Sequence, residues 1–145
     1  MDREELLARE EAAWHKLHAA LSGLTNEQLL TPTLNAEGWA PRDLMFHVGG
    51  WLAEAARQLE RMRAGTFAEP DLDVDGINAE WFQLSRRLDL ETVEAELQSS
   101  RTRMLSALAA LPEVTPAAQE WFEESGELHY TEHLRELRAW TAPVA

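Results

Sequence analysis

The sequence predicts an all-α domain: a four-helix bundle with a short extra helix in the connection between its second and third long helices. Three observations lead there. Apolar residues recur at i, i+3, i+4 and i+7 almost throughout, and no long stretch alternates with the two-residue period of a strand. Four of the amphipathic segments are long and similar in length, and such helices bury their stripes against one another. The 145 residues, 45% hydrophobic and 27% charged, suit a single domain over 1–145 with one sizeable core.

The first helix is expected from about Arg3 to Leu21, with Leu6, Ala13, Trp14, Leu17 and Leu21 on one stripe and Gly23 ending it. Thr25-Asn-Glu-Gln28 reads as a capping box that opens a short turn, broken by Pro32. Pro41 suits the first turn of the second helix, where Asp43 also favours the positive end of the dipole. From there Leu44, His47, Val48, Trp51, Ala55, Leu59 and Met62 keep helical spacing without a fault. Gly65 to Asp75 is a polar connection, read as the longest loop and as crossing an end of the bundle.

Ile77, Trp81, Leu84 and Leu88 mark the short extra helix. Asp89 caps a third long helix that turns Val93, Leu97, Met104, Leu108 and Leu111 inward. Ser100 and Arg101 interrupt that stripe; a solvated turn accounts for them, with polar groups facing a cavity as the alternative. One final helix is expected to begin between Thr115 and Ser125 and to end near Trp140. Its stripe reads Phe122, Gly126, His129, His133, Leu137 and Trp140.

Composition excludes several functions. A net charge of −13 repels a phosphate backbone and an anionic membrane surface, so neither nucleic acid nor membrane is an expected partner. The acidic residues themselves read as a solvated outer surface. With no cysteine there is no disulfide, no thiolate metal site and no catalytic Cys, in keeping with a reducing cytoplasm. The N-terminus is charged where a signal peptide is apolar, and no apolar run approaches the roughly twenty residues that cross a bilayer. A soluble, cytoplasmic protein is the expectation.

The histidines carry the chemistry. His129 and His133 are four apart, which on a helix stacks both imidazoles on one face within reach of a common ion. His47 lies on the inward stripe of the second helix, and buried imidazoles need partners for their ring nitrogens. A divalent ion bound by His47, His129 and His133 would meet all three demands and keep a coordination position open, as catalytic sites do. The competing reading is hydrogen-bonded core histidines. His15 and His18, three apart on the first helix, read as structural or surface residues. The H-x-x-E-H pattern from His129 to His133 also matches inverted zincins, but only twelve residues follow His133, too few for that domain. Di-iron bundles need Glu-x-x-His on two helices, which does not occur here.

Two segments resemble a known family. Gly38-Trp-Ala-Pro-Arg-Asp-Leu-Met-Phe-His47-Val-Gly-Gly-Trp51 resembles the opening of the second helix in DinB/YfiT-like proteins, and His129-Tyr-Thr-Glu-His133-Leu-Arg-Glu-Leu resembles their last helix. The resemblance implies a four-helix bundle, often dimeric, with a metal held at the positions of His47, His129 and His133. It implies a divalent ion, zinc or nickel foremost, with iron, manganese or copper as alternatives. Relatives include thiol S-transferases using mycothiol or bacillithiol, maleylpyruvate isomerase and a colibactin-resistance hydrolase.

A metal-dependent transferase or hydrolase is therefore expected, acting on a small electrophilic substrate. A low-molecular-weight thiol would be the cosubstrate, and a homodimer the assembly. Which residues are catalytic beyond the metal ligands stays unknown. The chain stops where the bundle ends, without the isomerase's additional C-terminal domain, so the isomerase reaction itself is not expected. The alternatives are a non-catalytic protein that binds a small molecule and a structural dimeric module. Six tryptophans would mainly fill the core, with Trp39 and Trp51 near enough to the histidines to line a pocket. Metal binding is expected to weaken below about pH 6, where free imidazoles take up protons.

Overall fold

A computed structural model describes residues 1–141. The helices are α1 (Arg3–Ser22), α2 (Asn26–Leu29), α3 (Pro41–Ala64), α4 (Val74–Ser85), α5 (Leu90–Ala109), α6 (Pro116–Ser125) and α7 (Glu127–Thr141), with no strand among the described residues. The long helices α1, α3, α5 and α7 form the bundle, and α4 is the extra helix between the second and third of them. No helix among the described residues is long and apolar enough to cross a membrane.

Helix starts follow local chemistry. The Asp2 carboxylate accepts from the Glu5 N–H at 2.8 Å, and Asp89 accepts from the Thr92 N–H at 2.7 Å. The capping box at Thr25 is complete, with reciprocal bonds to Gln28 of 2.9 and 3.1 Å. Pro41 opens α3, where Asp43 accepts from the Ala40 N–H at 2.8 Å and from the Ser85 hydroxyl at 2.5 Å. One buried carboxylate thus caps α3 and ties the end of α4 to it.

The core joins α1 to α7 and α3 to α5 through Leu6, Leu17, Leu52, Leu97, Leu108 and Leu137, all nearly inaccessible to solvent. The α3 and α5 backbones approach closely at Gly49, where an added Cβ would stand 3.3 Å from the Leu97 Cα. Of the six tryptophans Trp14 is fully buried, and Trp39, Trp121 and Trp140 are half-buried and packed against the core.

Three expectations need correction. The last helix is two helices. Gly126 takes φ −101° and ψ −106°, which ends α6, and a Cβ there would lie 2.8 Å from the Phe122 carbonyl oxygen. The ladder restarts with the Tyr130 N–H donating to the Gly126 carbonyl at 2.9 Å. The longest connection is 30–40, not 65–73, because Asp73 caps α4 early by accepting from the Gly76 N–H.

Arg101 is neither solvated nor turned into a cavity. Its guanidinium donates to both oxygens of Glu10, at 2.8 and 2.7 Å, and lies 4.8 Å above the Trp14 ring. Glu10 is completely buried and also accepts from the Tyr130 hydroxyl at 2.8 Å. Burial, and then the Glu10 carboxylate, push the Tyr130 phenol well above its ordinary pKa, so it stays protonated and donates.

Candidate metal centre

His47 leaves the core face of α3 one turn after Asp43, and His129 and His133 occupy successive turns of α7. The break at Gly126 precedes them, so the phase of α7 is set by its own contacts and not by α6. Tyr130, held by Glu10, fixes that phase: its side chain points into the core while the two histidines beside it face α3. His47 and His133 are each 8% exposed.

The three rings converge. The Nε2 atom of His129 stands 3.0 Å from that of His47 and 2.9 Å from that of His133. One nitrogen of each ring lies within 4.8 Å of the other two, and the trio could hold a metal ion. Nitrogens bound about 2.0–2.1 Å from one ion at angles between a right angle and the tetrahedral value stand about 2.9–3.4 Å apart. The two shortest separations fall at the lower edge of that range. Neighbouring rings meet nearly edge-on, at 66° to 85°, so the lone pairs converge and the π faces do not stack.

Burial and mutual repulsion keep the imidazoles neutral. Desolvation and then the neighbouring His129 lower His47 to about 3. Desolvation, with the other two rings, lowers His133 to about 3, and desolvation lowers His129 to about 4. Neutral imidazole is the ligand form. None of the three Nδ1 atoms has a fully formed hydrogen bond. A polar group nonetheless stands by each ring. Glu136 Oε1 is 3.6 Å from the Nδ1 of His133, Asn78 opposes the shift of His47, and the Ser125 backbone opposes that of His129. Such groups orient metal-bound imidazoles and raise their basicity.

The triad forms the floor of a cleft of about 900 Å³. Trp39, Trp51 and Trp121 line its walls, with α4, α6 and the 65–73 connection completing them. Trp39 packs 4.9 Å from the His47 ring, and the Trp51 indole N–H donates to Asn78 at 2.8 Å. Trp39 and Trp51 are therefore wall residues, as their place beside the histidines allowed.

His47, His129 and His133, separated by 82 and 4 positions, come together as the sequence suggested. His18 instead stacks on Trp14 with ring centroids 5.4 Å apart, and His15 is exposed beside Glu11. Glu132, the general base of the inverted-zincin pattern, is exposed at the cleft and lies outside the three-histidine cluster. Sequence reasoning missed Asn78, Trp121 and Glu136. Glu136 carried a signal, since it lies one turn beyond His133 on the same face.

The family model described as mycothiol maleylpyruvate isomerase N-terminal domain matches residues 11–142. Neither the curated proteins nor the solved structures gave a match.

Proposed function

The chain belongs to the mycothiol maleylpyruvate isomerase N-terminal domain family, within the DinB-like superfamily, and on that premise we propose a metal-dependent enzyme that transfers a thiol, or water, to a small electrophile. One observation carries this reading: three neutral imidazoles point their Nε2 atoms at one spot on the floor of an open cleft. His47, His129 and His133 would hold the ion. A divalent metal bound there supplies Lewis acidity and favours the deprotonated form of a thiol or water beside it.

The chain's own groups do the rest. Three protein ligands leave room for a further one, and the cleft admits a small molecule to that position. Trp39 and Trp51 place apolar ring surface beside the histidines, which lowers the local dielectric and strengthens electrostatic interactions there. The protein has no cysteine, so a thiol nucleophile must arrive as a cosubstrate. Zinc or nickel suits three imidazoles, and iron, manganese and copper are further candidates.

Elemental analysis of the untagged protein tests the metal, with about one ion per chain expected. A screen of mycothiol, bacillithiol, glutathione and coenzyme A against monochlorobimane tests the thiol. Turnover with water alone makes the enzyme a hydrolase; a protein that neither carries nor takes up metal overturns the proposal.

A further inference from the structure

Three neutral imidazoles that offer their Nε2 lone pairs to one ion must each carry their proton on Nδ1. In water a neutral histidine favours the other tautomer, with the proton on Nε2 and no lone pair there to give. Which tautomer a buried ring adopts is set by the hydrogen bond that its second nitrogen makes. Here the three Nδ1 atoms lie buried behind the cluster, and none has a formed hydrogen bond. An acceptor placed behind a ring would take its Nδ1 proton and leave Nε2 bare.

Glu136 is placed to do this for His133. It follows three residues later on α7, so the two side chains share one face of the helix. Its Oε1 stands 3.6 Å from the His133 Nδ1. That oxygen is itself buried and without a partner, although the side chain as a whole is 32% exposed. A donor nitrogen and an acceptor oxygen, both orphaned, thus face each other. Their separation exceeds a charge-assisted hydrogen bond of about 2.7–2.9 Å by less than about 1 Å, a gap that rotation of the partly exposed Glu136 side chain closes. Among the described residues, no other carboxylate is in ion-pair contact with any of the three rings. The groups beside His47 and His129, the Asn78 carboxamide and the Ser125 backbone, are uncharged.

We propose that Glu136 is a positioning residue for the triad: its carboxylate accepts the Nδ1 proton of His133, fixes that tautomer before any ion arrives and keeps the Nε2 lone pair turned to the cluster. The effect on metal affinity rests on the proposed function, whereas the tautomer is a property of the metal-free chain. His133 is then the preset ligand of the three, and the charge behind it makes its nitrogen the richest donor.

The test reads the tautomer first. Nitrogen NMR of the isotope-labelled, metal-free chain at neutral pH distinguishes protonated from bare ring nitrogens, and His133→Ala identifies the signals. The wild type should hold the His133 proton on Nδ1, and Glu136→Ala should move it to Nε2. Glu136→Gln keeps a carbonyl acceptor without the charge and should restore the Nδ1 tautomer in part.

Zinc titration of the same proteins follows. Affinity should fall about 10- to 100-fold in Glu136→Ala, as it does when the group behind a ligand is removed. Glu132→Ala takes an equal charge from an exposed carboxylate outside the cluster, and should stay within about threefold of the wild type because exposed charges are screened. A wild-type His133 protonated on Nε2, or a tautomer that Glu136→Ala does not move, overturns the inference. Equal losses of affinity in Glu132→Ala and Glu136→Ala do so too, since net charge alone would then be at work. A wild type that holds the Nδ1 tautomer but takes up no zinc would instead count against the metal reading and leave the role of Glu136 in the tautomer standing. Neither glutamate belongs to the hydrophobic core, so the fold should persist in these variants, which circular dichroism checks.

Discussion

Replacing His47, His129 or His133 with Ala removes one of three nitrogens that the remaining pair cannot replace. Loss of a group merely behind a ligand typically costs about 10- to 100-fold in metal affinity, so each Ala variant should lose at least that much. His15→Ala and His18→Ala should bind as the wild type does, because one is exposed and the other rests on Trp14. Metal titration of the five variants measures this, and tight binding by His47→Ala would remove α3 from the site. Acid should act on the same residues. All three imidazoles have pKa values lowered from 6.5, to about 3 or 4, so the unfolded chain binds more protons once the pH drops below 6.5. Stability of the metal-free protein is thus fully present above pH 6.5 and should decline as pH falls toward 3. Metal binding should persist well below pH 6, since protons compete poorly for the buried nitrogens; urea melts and titrations at pH 7, 5.5 and 4.5 test both. The sequence-based figure of pH 6 assumed exposed imidazole, and only the packing shows how far burial lowers it.

Elements are locked to one another by polar groups that periodicity alone does not distinguish. Glu10 sits on a core position of α1, Arg101 on α5 and Tyr130 on α7, and their hydrogen bonds join three of the four long helices. Breaking a buried pair leaves an uncompensated charge, so Arg101→Met should cost about 3–5 kcal/mol. Combining it with Glu10→Leu and Tyr130→Phe should recover most of that loss, because apolar groups then replace all three partners. Chemical denaturation of the two variants decides it, and equal losses would mean that no charge was stranded. The long helices were legible because Leu44 to Met62 keep a full stripe and Val93 to Leu111 keep one broken only at Ser100 and Arg101. The His129/His133 pair was legible because four-residue spacing constrains geometry locally. Glu10 and Arg101 were not, since a charge on a stripe looks the same in sequence whether it meets water or a partner 91 residues away. The break at Gly126 escaped for a similar reason: the apolar stripe runs through it, and backbone crowding at Phe122 is a structural fact.

For the whole molecule, the bundle buries its own core, so metal-free protein should stay helical by circular dichroism, unlike a small domain that folds only around its ion. We propose that it also forms a homodimer, a reading supported by the resemblance of its two motifs to a family that often dimerises. Val74 and Leu84 on α4 and Leu128 on α7 offer exposed apolar contacts. Light scattering should give twice the mass of one chain at micromolar concentration, and a monomer there would refute it. The division of the cleft has a consequence for evolution. The clustered nitrogens come only from α3 and α7, whereas much of the wall comes from α4, α6 and the 65–73 connection. Changes to those wall segments can alter what the cleft accepts while the floor keeps its shape. A lineage built on this plan is free to diversify its chemistry at the rim, and saturation mutagenesis should find tolerance concentrated at Glu69, Asp71 and Glu120.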